Sequence, residues 1–67
     1  MATGTVLSFN DAKGFGFITP DDGSEQVFAH YSQIISSGAR SLSQGQKVEY
    51  ELKNDLKGPE ALCIRAI

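Results

Sequence analysis

The residues best suited to chemistry in this chain are aromatic rings set two apart. Phe15 and Phe17 flank Gly16 in Lys13-Gly14-Phe15-Gly16-Phe17-Ile18, and a second group follows in Val27-Phe28-Ala29-His30-Tyr31. Side chains alternate between the faces of a β-strand, so Phe15 and Phe17 share one face while Gly14, Gly16 and Ile18 take the other. The second stretch divides in the same way. Val27 and Ala29 suit an interior, which leaves Phe28 and His30 on the opposite side. Two strands presenting rings on a common face make a surface on which unpaired bases can stack.

A Phe-x-Phe pair taken alone is more often buried than exposed. The remaining apolar residues argue against that assignment here. Val6, Ile18, Val27, Val48, Leu52, Leu62 and Ile64 already furnish a core, and three more phenylalanines would overfill the interior of a 67-residue chain.

Five short segments read as the strands that must position these rings. Gly4 to Asn10 is followed by a turn over Asn10-Asp11-Ala12-Lys13-Gly14. Gly14 to Thr19 is ended by Pro20, which cannot donate to a ladder, and Asp21-Asp22-Gly23 is hairpin-turn chemistry. Gln26 to Tyr31 is the third strand. Ser32 to Gln46 is irregular, with one helical turn expected over Ser32-Gln33-Ile34-Ile35, capped by Ser32, and with Leu42 as its apolar anchor. In Lys47 to Lys53, Val48, Tyr50 and Leu52 alternate with charged residues. After a turn over Asn54 to Pro59, Glu60 to Ile67 forms the last strand, with Leu62, Ile64 and Ala66 on one face. No segment sustains helical periodicity. Three hairpin-connected strands, a long excursion and two further strands predict an all-β fold, a small five-stranded antiparallel barrel, because closure removes exposed edges. One domain over residues 1–67 is expected, with a stability of a few kcal/mol.

Composition narrows the function. The net charge is −2 and the sequence pI is about 5.1, which argues against a purely electrostatic binder of polyanions. Stacking-driven binding remains compatible if the few cations lie near the rings. The lone Cys63 excludes an internal disulfide, no apolar run approaches a membrane span, and no secretory signal opens the chain. A soluble cytoplasmic protein without a membrane partner is expected.

Other chemistry is poorly supported. His30 and the distant Cys63 do not make a metal set, and Cys63 on a strand lacks the helix N-terminus that would activate a thiolate. The Asp21-Asp22 pair belongs to a turn and the Glu49/Glu51 pair to a solvated strand face. No helix follows Gly14-Phe15-Gly16, so it is not a phosphate loop. No catalytic residue, metal, cofactor or small-molecule substrate is expected.

Taken together, Gly4-Thr5-Val6, Phe9-Asn10, Lys13 to Ile18, Val27 to Tyr31 and Gly58-Pro59-Glu60-Ala61 resemble the bacterial cold-shock protein family, a single cold-shock domain, over nearly the whole chain. An RNA-recognition-motif domain carries a similar aromatic stretch but needs two helices that this chain lacks. The resemblance implies a barrel of the oligonucleotide/oligosaccharide-binding (OB) type that holds single-stranded RNA or DNA, pyrimidine-rich by preference, as a nucleic-acid chaperone. It implies that Phe15, Phe17, Phe28, His30 and Tyr31 stack on bases and that Phe9 borders them. It also implies that Lys13 and Lys57 meet phosphate, with Arg40 as a further cation. Gln26 would bond a base edge, and Asn10 would bond a base or shape the first turn. The chain departs from the family at three places. Leu7 and Ser8 stand where Lys and Trp are usual, and Ala39 stands where Phe is usual. Two missing rings and one missing cation imply weakened binding, and an alternative role as a protein-interaction module that uses Leu7. A monomer or a strand-exchanged dimer is expected.

Overall fold

Apolar residues recur at every second position along these strands, and a chain this short can bury them from all sides only by closing its sheet. The computed structural model describes residues 2–35 and 42–67. Within them lie β1 (Ala2–Asn10), β2 (Phe15–Pro20), β3 (Val27–His30), a 3₁₀ turn (Tyr31–Gln33), β4 (Lys47–Asp55) and β5 (Gly58–Ala66). They close into a barrel in the order β1-β2-β3-β5-β4. Every seam is antiparallel except β3–β5, which is parallel. Parity requires that exception. β1 and β3 run in the same direction, β4 pairs antiparallel with β1, and β5 pairs antiparallel with β4, so β5 must run with β3.

The core consists of Val6, Ile18, Val27, Ala29, Ile34, Leu42, Val48, Tyr50, Ala61 and Ile64, and no polar side chain is buried among the described residues. Leu42 is the anchor expected of the irregular segment. Leu52 and Leu62 are not core. Leu52 is 51% exposed and Leu62 is half-buried. β1 pairs with β4 only as far as Tyr50, so Leu52 keeps the inward parity of Val48 and Tyr50 but lies beyond the strand that would cover it. Leu62 is displaced by a bulge. Between the pairs Glu49↔Arg65 and Glu51↔Leu62, β5 carries one residue more than β4. The extra residue turns Ala61 and Ile64 inward together and breaks the expected alternation of Leu62 with Ile64.

The bulge is strained at one point. Cys63 has φ 51°, the only non-glycine with positive φ among the described residues. An L-residue in that region brings its Cβ against the following carbonyl, a penalty glycine does not have. Cys63→Gly should therefore stabilise the domain by about 1 kcal/mol, raising the thermal midpoint by roughly 4–8 °C at this size. A calorimetric midpoint that stays put or falls would show the bulge to be unstrained.

The turns follow their sequence chemistry. Gly23 has φ 81°, and Asp22 Oδ1 accepts from the Ser24 amide at 2.9 Å. Asp21 accepts from Thr3 Oγ1 at 2.8 Å and pairs with Lys47, tying the end of β2 to β1 and β4. The Lys47 ammonium and the Thr3 hydroxyl hold the Asp21 carboxyl below the usual carboxylate range. The helical turn begins one residue earlier than expected. His30, not Ser32, caps it, with its side chain accepting from the Ser32 amide.

Candidate nucleic-acid interface

The register of β2 against β3 decides which rings meet. Phe15 lies opposite His30 and Phe17 opposite Phe28, and residues directly opposed across a ladder share a face. The ring centroids of Phe15 and Phe28 are 5.7 Å apart, those of Phe17 and Phe28 6.1 Å in an edge-to-face arrangement, and those of Phe28 and His30 6.3 Å. Tyr31 continues the series at 4.6 Å from His30. Such separations are those of favourable aromatic pairs. Phe28 touches three rings and is the hub. Phe17 is 36% and Tyr31 45% exposed, while Phe15, Phe28 and His30 are half-buried. The rings are thus held by one another and still reachable from solvent.

Two glycines make the arrangement possible. A Cβ on Gly16 would lie 2.7 Å from Phe9 Cα and closer still to the Ser8 carbonyl oxygen, so β1 can approach β2 only because Gly16 has none. Gly14 has φ 77°, and a Cβ there would lie 2.6 Å from Cδ1 of Tyr31. The Tyr31 amide donates to the Gly14 carbonyl at 2.9 Å. That bond seats Tyr31 against the first turn, although Tyr31 has left β3 for the 3₁₀ turn.

A second bulge rearranges β1. Val6 pairs with Ile18, but the next pair is Ser8 with Phe17, followed by Phe9 with Gly16 and Asn10 with Phe15. The extra residue moves Ser8 onto the ring face beside Phe17. It moves Phe9 to the Gly16 side, where its ring is partly buried against the core. The family resemblance implies that Phe9 borders the rings; the bulge inverts the alternation that began at Val6 and so sets Phe9 opposite Gly16.

The polar candidates separate by geometry. Asn10 Oδ1 accepts from the amides of Ala12 at 3.0 Å and Lys13 at 3.1 Å, which shapes the first turn. His30 Nδ1 lies 2.8 Å from Ser32 Oγ and accepts from the Ser32 amide at 3.2 Å. With Nδ1 accepting, the neutral ring carries its proton on Nε2. Lys13 is exposed in the turn before β2. Gln26 and Lys57 line a hollow of about 430 Å³ that also includes Phe17 and Phe28. Arg40 and Ala39 lie outside the described residues. Sequence reasoning missed Asp55, Pro59 and Glu60 as walls of this hollow. Glu60 is brought beside Phe28 by the parallel β3–β5 seam, a pairing for which no local signal exists. Among the described residues, no group of three or more His, Cys, Asp or Glu side chains could hold a metal, and no helix is long and apolar enough to cross a membrane.

A closed five-stranded barrel with a contiguous set of rings on one outer face is the architecture of the small OB-type barrels that bind unpaired nucleic acid. The chain matches the family described as the "cold-shock" DNA-binding domain over residues 2–67, and it belongs to that family. It is 58% identical to Cold shock-like protein CspA of Stigmatella aurantiaca, over 100% of this chain and 98% of that relative. It is 52% identical to Cold shock-like protein CspE of Escherichia coli (strain K12), over 96% of this chain and 93% of that relative. Among solved structures, a chain described as Drosophila Unr CSD456 superposes with a TM-score of 0.81 at 20% identity, over 98% of this chain and 26% of that one, a likeness of fold. Membership in the cold-shock family makes this chain a nucleic-acid-binding domain.

Proposed function

We propose that the protein binds single-stranded RNA or DNA, pyrimidine-rich by preference, by stacking bases on Phe15, Phe17, Phe28, His30 and Tyr31, and that it acts as a nucleic-acid chaperone in the cytoplasm. The observation that carries this reading is the chain of ring contacts centred on Phe28, on the face opposite the buried Gly16, Ile18, Val27 and Ala29. Lys13 and Lys57 supply phosphate contacts at its two ends. A binder of unpaired strands needs no ATP: by holding the melted state it shifts the folding equilibrium of a structured RNA by mass action.

Among the described residues few cations border the rings, so affinity should depend weakly on salt. In titrations of an oligothymidine against tyrosine fluorescence or NMR shifts, the logarithm of affinity should fall with the logarithm of salt at a slope of about −1 to −2, from roughly 0.7 per neutralised phosphate. Duplex DNA should bind far more weakly, since its bases are already stacked. Equal affinity for duplex, with a steep slope, would sink the stacking reading in favour of a backbone binder.

Ser8 and Leu7 are where the interface is poorest. Ser8 is exposed beside Phe17, so Ser8→Trp should add one stacking surface and tighten oligothymidine binding by about 1–3 kcal/mol. Leu7→Lys should steepen the salt slope by about 0.7. If neither variant changes affinity, bases do not reach this edge of the sheet. A second reading rests on Leu7, which is 41% exposed. It makes the domain a protein-interaction module, and it is favoured if no single-stranded oligomer binds.

A further inference from the structure

The hollow beside Phe17 and Phe28 is walled by Gln26, Lys57, Pro59 and Glu60, and its chemistry is unlike that of a surface that only stacks. At about 430 Å³ it stands near the small end of the ~300–1,000 Å³ typical of small-molecule sites, room for a single base. Glu60 is paired with Phe28 across the parallel seam and with Lys53 across the β4–β5 ladder. A base stacked on Phe28 would therefore have this residue at its side. An ionised carboxylate is acceptor-only. Asp55, the other carboxylate of the hollow, already accepts from the Leu56 amide at 2.6 Å through Oδ1. The Glu60 carboxylate has no hydrogen-bond or ion-pair partner among the described residues.

Acceptors aimed at a base edge select for donors. Cytosine offers its N4 amino group, the usual partner of Glu or Asp, whereas thymine and uracil offer the O4 acceptor at the same place. The Gln26 amide can supply the complementary donor to cytosine N3 or O2, because it carries both donors and acceptors. The geometry points to Glu60 as a specificity-determining residue that makes this subsite prefer a base bearing an exocyclic amino group, which among pyrimidines is cytosine. The inference rests on the stacking reading above and assigns a base preference to one of its subsites.

The test compares heptamers of deoxycytidine and deoxythymidine at fixed salt and neutral pH, against the native protein and Glu60→Gln. The native protein should bind the cytidine heptamer about three- to tenfold more tightly, the size of one partly exposed charge-assisted hydrogen bond. Glu60→Gln keeps the shape, removes the negative charge and adds a donor that O4 can accept. The thymidine heptamer should bind it more tightly, because the charge facing O4 and the phosphates is gone, while the cytidine heptamer loses its charge-assisted bond, and the ratio between them should shrink to within about twofold. A thermal midpoint matching the native one confirms that the variant is folded. Binding of both heptamers with a ratio that Glu60→Gln leaves unchanged overturns the assignment of Glu60 alone. Failure of the native protein to bind either heptamer overturns the stacking reading and this inference with it.

Discussion

Alanine in place of Phe17 or Phe28 should weaken oligonucleotide binding by about 1–3 kcal/mol each, the worth of one stacked base. The two variants should differ in what else they lose. Phe17 is 36% exposed and meets Phe28 only edge to face, so its removal should leave stability nearly intact, well short of the ~3–5 kcal/mol of a deleted core Phe. Phe28 is half-buried and touches Phe15, Phe17 and His30. Each such pair is worth about 0.5–1.5 kcal/mol, so Phe28→Ala should lose both binding and part of the stability. Phe15→Ala, also half-buried, should fall between them. Titration calorimetry with an oligothymidine, set beside thermal unfolding, separates the two quantities. Unchanged affinity with collapsed stability across the three variants would show the rings to be core.

Gly16→Ala should unfold the domain. The added methyl would meet Phe9 Cα at 2.7 Å and the Ser8 carbonyl oxygen at a still shorter distance. Both belong to the backbone of β1, so no side-chain rotation relieves the conflict. β1 would have to part from β2 at the bulge that also places Ser8 beside Phe17. Forced overpacking commonly costs about 1–3 kcal/mol and more where backbone must move. A domain this small has roughly 3–5 kcal/mol of stability to lose. Gly23→Ala is the control. Its Cβ meets nothing within 4 Å, and only the φ of 81° opposes it, so it should cost about 1 kcal/mol. Circular dichroism of the two variants checks this. If Gly16→Ala unfolds no more readily than Gly23→Ala, the close approach of β1 to β2 is not what holds the ring face in place.

The sequence by itself determined the elements and the identity of most of the ring face. Phe15 with Phe17, and Phe28 with His30, share a side because strand alternation is a local property of the backbone, legible wherever small or branched residues fill the intervening positions. Pro20 and Asp22-Gly23 end β2 for equally local reasons. Tertiary structure alone decided what depends on pairing between distant strands. The bulge at Leu7 and Ser8 turns Phe9 inward and Ser8 outward, and nothing in the residue types of β1 announces an extra residue there. The bulge at Cys63 likewise separates Leu62 from Ile64, in a residue type that rarely takes a positive φ. Leu52 is exposed although it keeps the parity of Val48 and Tyr50, because it lies outside the described β1–β4 pairing of Ala2–Thr5 with Lys47–Tyr50, a matter of strand offset and not of composition. The parallel β3–β5 seam carries Glu60 from the last strand to the side of Phe28. A register fixed by barrel closure has no signature within either strand, because what selects it is the fit of all five strands together.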